Sequence, residues 1–289
     1  MITGGDGFLA RSFNEKLDDV YQITVCNRQK LDLSDAIQVF NYVKKGQFDV
    51  VIHTATYDAA PKYSTKDKNK VLESNLAMFF NLARCNDYFG KMIYFGSGAE
   101  FNREQWLPKM SESYFDQYVP TDQYGFSKYI MTQHALLSDN IYNLRLFGVF
   151  GEYDDWRYRF ISNVCCYAVL GLPIKIHKNA RVDFLYINDL ANIVRWFVNN
   201  KPRYHVYNVC SGQSFEHIEL AKKIINISGK KLKLIVNPHK NLLEYSGDNT
   251  LLQNELKNYS FSEMEQSLNL LYEWYDENKH IIDERKFHF

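Results

Sequence analysis

Short apolar strands that alternate with amphipathic helices are the feature that most restricts how this chain can fold. Val50, Val51 and Ile52 follow one another without a polar residue between them, as expected for a strand buried on both faces. Such strands belong to parallel sheets that are covered by helices on both sides. The sequence therefore predicts an α/β fold with a doubly wound parallel sheet. The strand-like segments of the first half are "MIT", "YQITVC", "FDVVIHTA", "KMIYFGS" and "IYNLRLFGVFG".

Helical spacing of apolar residues separates these strands and continues through the rest of the chain. For the helix in "SDAIQVFNYVKKG", Ser34 is the predicted N-cap and Gly46 the predicted C-terminal stop. Only three residues precede the first glycine, so either the first strand is short or the start is truncated relative to a fuller form. Further helices are predicted over 69–89, 124–138, 157–171, 215–228 and 262–279 and in the segment "LANIVRWFVNN".

Composition excludes several classes of function. Lysines plus arginines equal aspartates plus glutamates at 34 each, so no overall basic field favours nucleic acid. No segment reaches the ~18 apolar residues of a membrane span, and no signal peptide precedes the first motif. The cysteines have no metal-binding spacing, and we interpret them as reduced thiols of a cytoplasmic protein. They are Cys26, Cys85, Cys165, Cys166 and Cys210.

The turn "TGGDGFLA" follows the first strand directly. Gly4 permits a tight turn, Gly7 lets the next helix approach a ligand closely, and Ala10 is small enough for close packing of helix on strand. Backbone N–H groups at that helix N-terminus then face a pyrophosphate. The turn predicts a dinucleotide site.

The residues after the second strand indicate which dinucleotide binds. An NAD site usually has Asp or Glu there, bonded to the ribose 2′-hydroxyl. This chain has Asn27 and Arg28, and an arginine can pair with a 2′-phosphate that a carboxylate would repel. The prediction is therefore NADPH rather than NADH.

These motifs resemble, in the same order, those of the extended short-chain dehydrogenase/reductase family, which includes nucleotide-sugar epimerases, dehydratases and reductases. The resemblance covers nearly the whole chain. It implies a Rossmann domain that binds NADP over 1–150, and the chain is expected to return to this domain near 184–210. It also implies a smaller mixed α/β substrate lobe from 151–183 and 211–289. The matching segments are "TGGDGFLA", "DVVIHTAT", "YFGSGAEF", "YGFSK", "LRLFGVFG", "RVDFLYINDLA" and "YNVCSG".

The resemblance implies a catalytic set of Ser97, Tyr124 and Lys128, with Ser97 four positions before the aromatic Phe101. Tyr124 and Lys128 lie one helical turn apart and share a face. A cationic Lys128 is expected to lower the pKa of Tyr124. Tyr124 would give its proton to a developing alkoxide, and Ser97 would hydrogen-bond the same oxygen.

A second Tyr–Lys pair at the same spacing, Tyr275 and Lys279, is interpreted as part of a surface helix. His53 is interpreted as a buried histidine satisfied by hydrogen bonds, and Arg145 as structural or lining the crevice. The cofactor-binding residues implied by the family are Gly4, Gly7, Phe8, Leu9, Asn27, Arg28, Asp32, Leu33, Thr54, Ala55, Lys128 and Leu146.

Neighbours of Ser97 distinguish the reactions of the family. The dehydratases have an Asp–Glu pair where this chain has Gly98 and Ala99, and Glu100 on a continuing strand would face the other way. GDP-fucose synthases, the nearest branch, have a cysteine where Ala99 stands, which disfavours epimerisation beside the carbonyl. The favoured hypothesis is an NADPH-dependent reductase of a nucleotide-linked 4-keto-6-deoxy sugar, serving capsule or lipopolysaccharide synthesis.

Two alternatives stay open: an NAD(P)-dependent C4 epimerase, and a non-catalytic NADP-sensing regulator. Tyr57 is a further residue that could touch cofactor or sugar.

The family also implies a homodimer through residues 76–89 and 124–138, where Phe79, Phe80, Ile130 and Met131 suit an interface or the monomer core equally. The nucleotide base, the sugar and the product stereochemistry are not predicted. The substrate-binding residues implied are Ser97, Gly98, Arg157, Asn163 and Arg181, with Arg159 beside them.

Overall fold

The computed structural model describes residues 1–237, 242–257 and 259–287. The strands among them are β1 (Ile2–Thr3), β2 (Val25–Cys26), β3 (Phe48–His53), β4 (Phe89–Ser97), β5 (Ile141–Leu146), β6 (Gly148–Phe150), β7 (Ile174–Ile176), β8 (Ala180–Tyr186), β9 (Val206–Val209), β10 (Ser214–Glu216), β11 (Leu234–Val236) and β12 (Leu243–Tyr245). The α-helices among them are α1 (Phe8–Leu17), α2 (Ala36–Gly46), α3 (Val71–Ala83), α4 (Gln123–Leu136), α5 (Phe160–Leu170), α6 (Ile187–Asn199), α7 (His217–Ser228), α8 (Thr250–Glu255) and α9 (Met264–Glu277).

A six-stranded sheet in the order β2-β1-β3-β4-β5-β9 forms the centre of the molecule. Every neighbouring pair in it is parallel. The strand order reverses at β1, so the carboxyl ends of β1 and β3 border the crevice where doubly wound sheets bind ligands. The predicted fold class is confirmed. The first strand is short: Ile2 and Thr3 alone pair with both neighbours.

The second lobe is built around β8, which pairs with β6, β10 and β12. Helices α5, α7 and α9 pack against one another in the same lobe. The chain also returns to the first lobe, because α6 packs on α1 and β9 extends the main sheet beside β5. The domain boundaries stay a prediction.

The ends of helix α2 differ by one residue from the prediction. Asp35, not Ser34, is the N-cap, and its carboxylate accepts hydrogen bonds from the backbone N–H groups of Ile37 and Gln38. The Ser34 hydroxyl instead donates to Asp32 at 2.7 Å. Gly46 is the last helical residue, and Gln47 takes the left-handed conformation that ends the helix.

Helix α3 ends at Ala83, well before the predicted end at residue 89. A 3-10 turn at Asn86–Tyr88 and the start of β4 at Phe89 occupy the rest of that segment. All five cysteines are buried and reduced. No helix within the described ranges has the length and apolar character needed to span a bilayer.

Candidate active site

A cavity of about 1520 Å³ opens where the carboxyl ends of the main sheet strands meet the second lobe. Ser97, Tyr124 and Lys128 all lie on its wall. Ser97 ends β4, whereas Tyr124 and Lys128 lie in the first two turns of α4. The carboxylate of Asp122 caps α4 by accepting a hydrogen bond from Gly125 N. The structure therefore brings the predicted catalytic set together at the sheet's carboxyl edge.

Lys128 is buried, and its Nζ donates a 2.8 Å hydrogen bond to the carbonyl of Phe95. The ammonium lies 5.8 Å from the centre of the Tyr124 ring. Burial lowers the pKa of Lys128 to about 8, and the negative charge of Glu100 opposes that shift. Lys128 is therefore still mostly an ammonium at neutral pH.

The predicted lowering of the Tyr124 pKa by Lys128 is wrong for this structure. Burial raises the pKa of Tyr124, because a phenolate loses hydration in the pocket. The cation that most opposes this shift is Arg159, with a smaller contribution from a hydrogen bond with Ser97. A neutral phenol suits the role of proton donor.

The glycine turn has the geometry of a diphosphate cradle. Gly4 has a φ of 70°, and a β-carbon there would lie 2.8 Å from the backbone nitrogen of Ala55. Gly7 is the N-cap of α1, and no side chain caps the helix or places a negative charge in its first turn. Gly5 N and Gly7 N donate to Cys26 O and Gly4 O, but the first N–H groups of α1 have no partner within the helix. They lie at the cavity wall and fit an anionic diphosphate. Cavity-lining residues from the predicted cofactor set are Gly7, Phe8, Leu9, Thr54, Ala55, Lys128 and Leu146.

Four predicted cofactor residues follow β2 and lie outside the cavity wall. The side chain of Arg28 is 83% exposed, and its Nε lies 3.5 Å from the Asp32 carboxylate. The amide oxygen of Asn27 accepts a hydrogen bond from Lys30 N, and Leu33 is buried in the core. Arg28 and Asp32 therefore pair with each other at the surface, and the roles of all four toward a cofactor stay predictions.

Of the predicted substrate residues, some line the cavity and others do not. Arg157 lines the cavity, pairs with both Asp155 oxygens at 2.9 and 3.0 Å, and lies 4.2 Å from the Tyr63 ring centre. The other three are engaged elsewhere and do not line the cavity. Gly98 lies beneath the Tyr245 ring, Asn163 donates to Trp156 O, and Arg181 pairs with Glu216 at 2.9 Å.

His53 lines the cavity but is satisfied, because its Nδ1 lies 2.9 Å from the Thr3 hydroxyl. Burial lowers its pKa to about 3, so it is neutral. This agrees with its interpretation as a buried, hydrogen-bonded histidine. Tyr57 is not part of the cavity wall, although Thr56 and Asp58 are.

An aromatic wall beside Ser97 was not predicted. The hydroxyl of Tyr245, at the end of β12, lies 3.4 Å from Ser97 Oγ. Its ring stacks on Trp106 with centroids 4.2 Å apart, and a β-carbon at Gly98 would lie 2.6 Å from the same ring. Tyr245 is 148 residues from Ser97 in the chain, so no local pattern could have indicated the contact.

A second unpredicted group surrounds Arg159, whose Nη2 and Nε lie 3.9 Å from Asp58 and 4.0 Å from Asp154. Asp154 is buried, and burial raises its pKa to about 7. Among the described residues its Oδ2 has no hydrogen-bond partner. Tyr275, which was placed on a surface helix, is in fact fully buried on the inner face of α9 and donates to the Asp154 carbonyl at 3.4 Å.

Glu100 faces away from the cavity wall, as predicted, but the predicted reason, a strand that continues through it, is wrong. The strand stops at Ser97, and Gly98–Phe101 form a 3-10 turn that folds Glu100 back beneath it. Glu100 and Arg145 are both fully buried and form an ion pair at 2.8 Å. Arg145 was interpreted either as a structural residue or as part of the crevice lining, and the first interpretation is confirmed.

Comparison with known proteins identifies the family to which the chain is similar. Residues 1–210 match the model of the NAD dependent epimerase/dehydratase family. A curated relative, Protein CapI of Staphylococcus aureus, is 22% identical over 287 residues, covering 81% of this chain and 84% of that protein.

Solved structures with the same fold include enzymes of two kinds. A GDP-6-OMe-4-keto-L-xylo-heptose reductase from C. jejuni has a TM-score of 0.83 at 17% identity, covering 96% of this chain and 97% of that one. A GDP-mannoheptose C4 reductase from Campylobacter jejuni, with NADP bound, has a TM-score of 0.82 at 18% identity, covering 95% and 97%. A UDP-glucose 4-epimerase from Thermotoga maritima with UDP-glucose also reaches 0.83, at 18% identity, covering 96% and 98%.

At these identities the structural likeness shows the fold and does not separate reductases from epimerases. The family model covers well over half of the chain, and it agrees with the family to which the sequence motifs pointed. The chain belongs to the NAD dependent epimerase/dehydratase family, whose enzymes act with a nicotinamide cofactor.

Proposed function

We propose that this protein uses NADPH to reduce the C4 keto group of a sugar linked to a nucleotide diphosphate, with a 4-keto-6-deoxy sugar as the substrate class. The observation that carries the proposal is the convergence of Ser97, Tyr124 and Lys128 on one wall of the cavity. The cradle formed by the glycine turn lies on the wall of the same cavity. This arrangement supports proton delivery to a carbonyl held beside a bound cofactor.

When bound, NADPH supplies the hydride that reduces the carbonyl carbon. Tyr124 donates its phenolic proton to the oxygen that becomes an alkoxide. Ser97 donates a hydrogen bond to that oxygen and fixes its position. Lys128, cationic at neutral pH, would hold the nicotinamide ribose, and Arg159 is the cation that most favours the tyrosinate that remains after proton transfer.

The residues after Ser97 argue against two other reactions of the family. Gly98 carries no side chain, and Ala99 is fully buried and cannot move a proton. Glu100 is held in an ion pair beneath the site. Dehydration and epimerisation next to the carbonyl both need an acid or base at these positions, so simple carbonyl reduction fits the chain better.

C4 epimerisation by transient oxidation is the alternative, because it requires the same serine, tyrosine and lysine. Absorbance at the nicotinamide band separates the two reactions. With a nucleotide-linked 4-keto-6-deoxy sugar, we expect NADPH to be consumed in equal amount to the product formed. Redox-neutral conversion of a 4-hydroxy sugar would instead support the epimerase. Binding of NADPH without any turnover would support a cofactor-sensing regulator.

We propose that Arg28 selects NADPH by pairing with the 2′-phosphate, after its side chain leaves Asp32. The 3.5 Å contact between Arg28 and Asp32 is exposed and therefore weak. We expect Arg28→Ala to lower the preference for NADPH over NADH about 10- to 100-fold, as a charge-assisted hydrogen bond contributes about 1.5–3 kcal/mol. Removing Arg28 also leaves Asp32 to repel the phosphate.

The measurement is the ratio of dissociation constants for NADPH and NADH, obtained by fluorescence titration. Lys30→Ala is the matched control, because Lys30 lies in the same turn but its Nζ donates to Val25 O. An unchanged ratio in Arg28→Ala would remove Arg28 from cofactor selection.

For the substrate, we propose that Arg157 binds the diphosphate, with Arg159 beside it on the same wall.

We also propose a homodimer through α3 and α4. Phe79 and Met131 are buried within the monomer, but Phe80 and Ile130 on the same helices are only partly buried. Light scattering tests the dimer, and a monomeric mass at assay concentrations would contradict it.

A further inference from the structure

A buried carboxylate lies directly beneath the catalytic serine. Glu100 Oε1 accepts a 2.9 Å hydrogen bond from the backbone N–H of Ser97. In return, Ser97 Oγ accepts a 3.2 Å hydrogen bond from the backbone N–H of Ala99. The two bonds form a capping box around the turn Gly98–Phe101. This arrangement holds the Ser97 side chain against the turn, with its hydroxyl on the cavity wall beside Tyr245.

The same carboxylate is the centre of a buried polar network. Its Oε2 accepts 2.8 Å and 2.9 Å hydrogen bonds from Arg145 Nε and Thr132 Oγ1. Asn143 Nδ2 lies 3.3 Å from each carboxylate oxygen. Glu100, Thr132, Asn143 and Arg145 are all fully buried. The other three side chains therefore hold the Glu100 carboxylate in one place.

The network reaches the catalytic lysine through helix α4. Thr132 lies one turn after Lys128, and its hydroxyl is 3.0 Å from the Lys128 carbonyl as well as 2.9 Å from Glu100. Lys128 Nζ is held on the inner side of the helix by the Phe95 carbonyl, within the strand that leads to Ser97. Glu100 is therefore enclosed between the end of β4 and the helix that carries Tyr124 and Lys128.

We propose that Glu100 is a positioning residue that fixes the Ser97 hydroxyl and places its carboxylate between the end of β4 and the helix that carries Lys128. The proposal rests on the proposed function, because it concerns how Ser97 and Lys128 are held for that reaction. Glu100 lies one position too late in the chain to act as the acid or base of the dehydratases, and the proposal gives it a different role.

The charges around Lys128 support this role. Burial lowers the pKa of Lys128 and the charge of Glu100 opposes this shift, and the two effects together leave the pKa at about 8. His53 on β3 also faces the ammonium, but it is neutral, because burial and the charge of Lys128 lower its pKa to about 3. Tyr124 on the same helix is a neutral phenol whose pKa is raised by burial. Glu100 is thus the anion beside Lys128, and Arg145 behind it anchors Glu100.

The test is Glu100→Gln, which keeps the size of the side chain and an oxygen that can accept from Ser97 N, but removes the charge. The pKa of Lys128 is measured by competitive labelling with acetic anhydride, with the labelled peptide quantified by mass spectrometry over a series of pH values. We expect the Lys128 pKa to fall by about one to three units. The alkaline limb of the NADPH-dependent turnover should move to lower pH by the same amount.

Glu112→Gln is the matched control. Glu112 is another largely buried carboxyl near Arg145, and its Oε1 accepts a 2.7 Å hydrogen bond from Asn208 N. It forms no hydrogen bond with Ser97, Thr132 or Lys128, so the loss of its charge should leave the Lys128 pKa unchanged. Equal Lys128 pKa values in wild type and Glu100→Gln would overturn the proposal.

Should Glu100→Gln fail to fold with Arg145 unpaired, the double variant Glu100→Gln/Arg145→Met removes both charges together. It should still lower the Lys128 pKa, by less than the single variant, and an unchanged value would again overturn the proposal. The labelling needs no substrate. A wild type that reduces no 4-keto sugar would therefore contradict the proposed function, while the role of Glu100 toward Lys128 is decided separately.

Discussion

Tyr124→Phe is expected to lower turnover by a factor of about 10²–10⁴, the usual contribution of a positioned general acid. The change removes one oxygen at the cavity wall, beside Ser97, and keeps the ring. Because NADPH contacts are expected from the glycine turn and Lys128, its affinity should remain nearly that of the wild type. The measurements are the rate of NADPH loss at saturating substrate and a fluorescence titration of NADPH binding.

Tyr129→Phe is the control for this prediction. Tyr129 lies on the same helix, but its hydroxyl donates to Asp116, away from the cavity. We expect it to keep the wild-type rate. If Tyr124→Phe turned over as fast as the wild type, the proton would come from another group, and the proposed chemistry would be wrong.

Arg145→Met should have the largest effect on stability. Arg145 and Glu100 are both inaccessible to solvent, and their ion pair is 2.8 Å long. The guanidinium also lies 4.4 Å from the centre of the Phe101 ring. Removing one partner leaves a charged carboxylate buried without its cation, which costs about 3–5 kcal/mol. We expect the free energy of unfolding in urea at neutral pH to fall by about that amount.

Two variants show whether burial causes this effect. Arg181→Met breaks another Arg–Glu pair, 2.9 Å long, whose side chains are 30% and 27% exposed. That change should cost about 0–1 kcal/mol, because solvent screens the pair and hydrates the remaining carboxylate. The double variant Glu100→Gln/Arg145→Met should recover part of the loss, since it leaves no unpaired charge in the core. An equal loss in Arg145→Met and Arg181→Met would contradict the explanation by burial.

Local patterns predicted the main strands and helices of the first lobe and the motif residues. The unbroken run Val50–Ile52 predicted a buried parallel strand, and β3 has that environment. The spacing of Tyr124 and Lys128 predicted a shared helical face, and both line the cavity. Such signals are readable because hydrophobic periodicity and glycine turns involve residues close together in the chain.

Predictions for single side chains were wrong where burial or contacts with distant segments determine the environment of the residue. The pair Tyr275–Lys279 has the same spacing as the predicted catalytic pair Tyr124–Lys128, yet Tyr275 is buried in the second lobe. The pKa of Tyr124 depends on its loss of hydration and on Arg159, 35 positions later in the chain, more than on the lysine one turn away. Neither desolvation nor an approach between distant segments leaves a local mark in a sequence.

From its sequence alone, this protein was identifiable as an α/β member of its family with a dinucleotide turn, because both are encoded by residues near one another along the chain. The resemblance of its motifs to those of the family then indicated the Ser–Tyr–Lys set. Tertiary structure alone decided what surrounds that set: Tyr245 beside Ser97, Arg159 near Tyr124, and Glu100 folded beneath the serine to meet Arg145. The physical reason is that hydrogen bonds and charge interactions depend on distance in space and on exclusion of water. Both are properties of the folded chain.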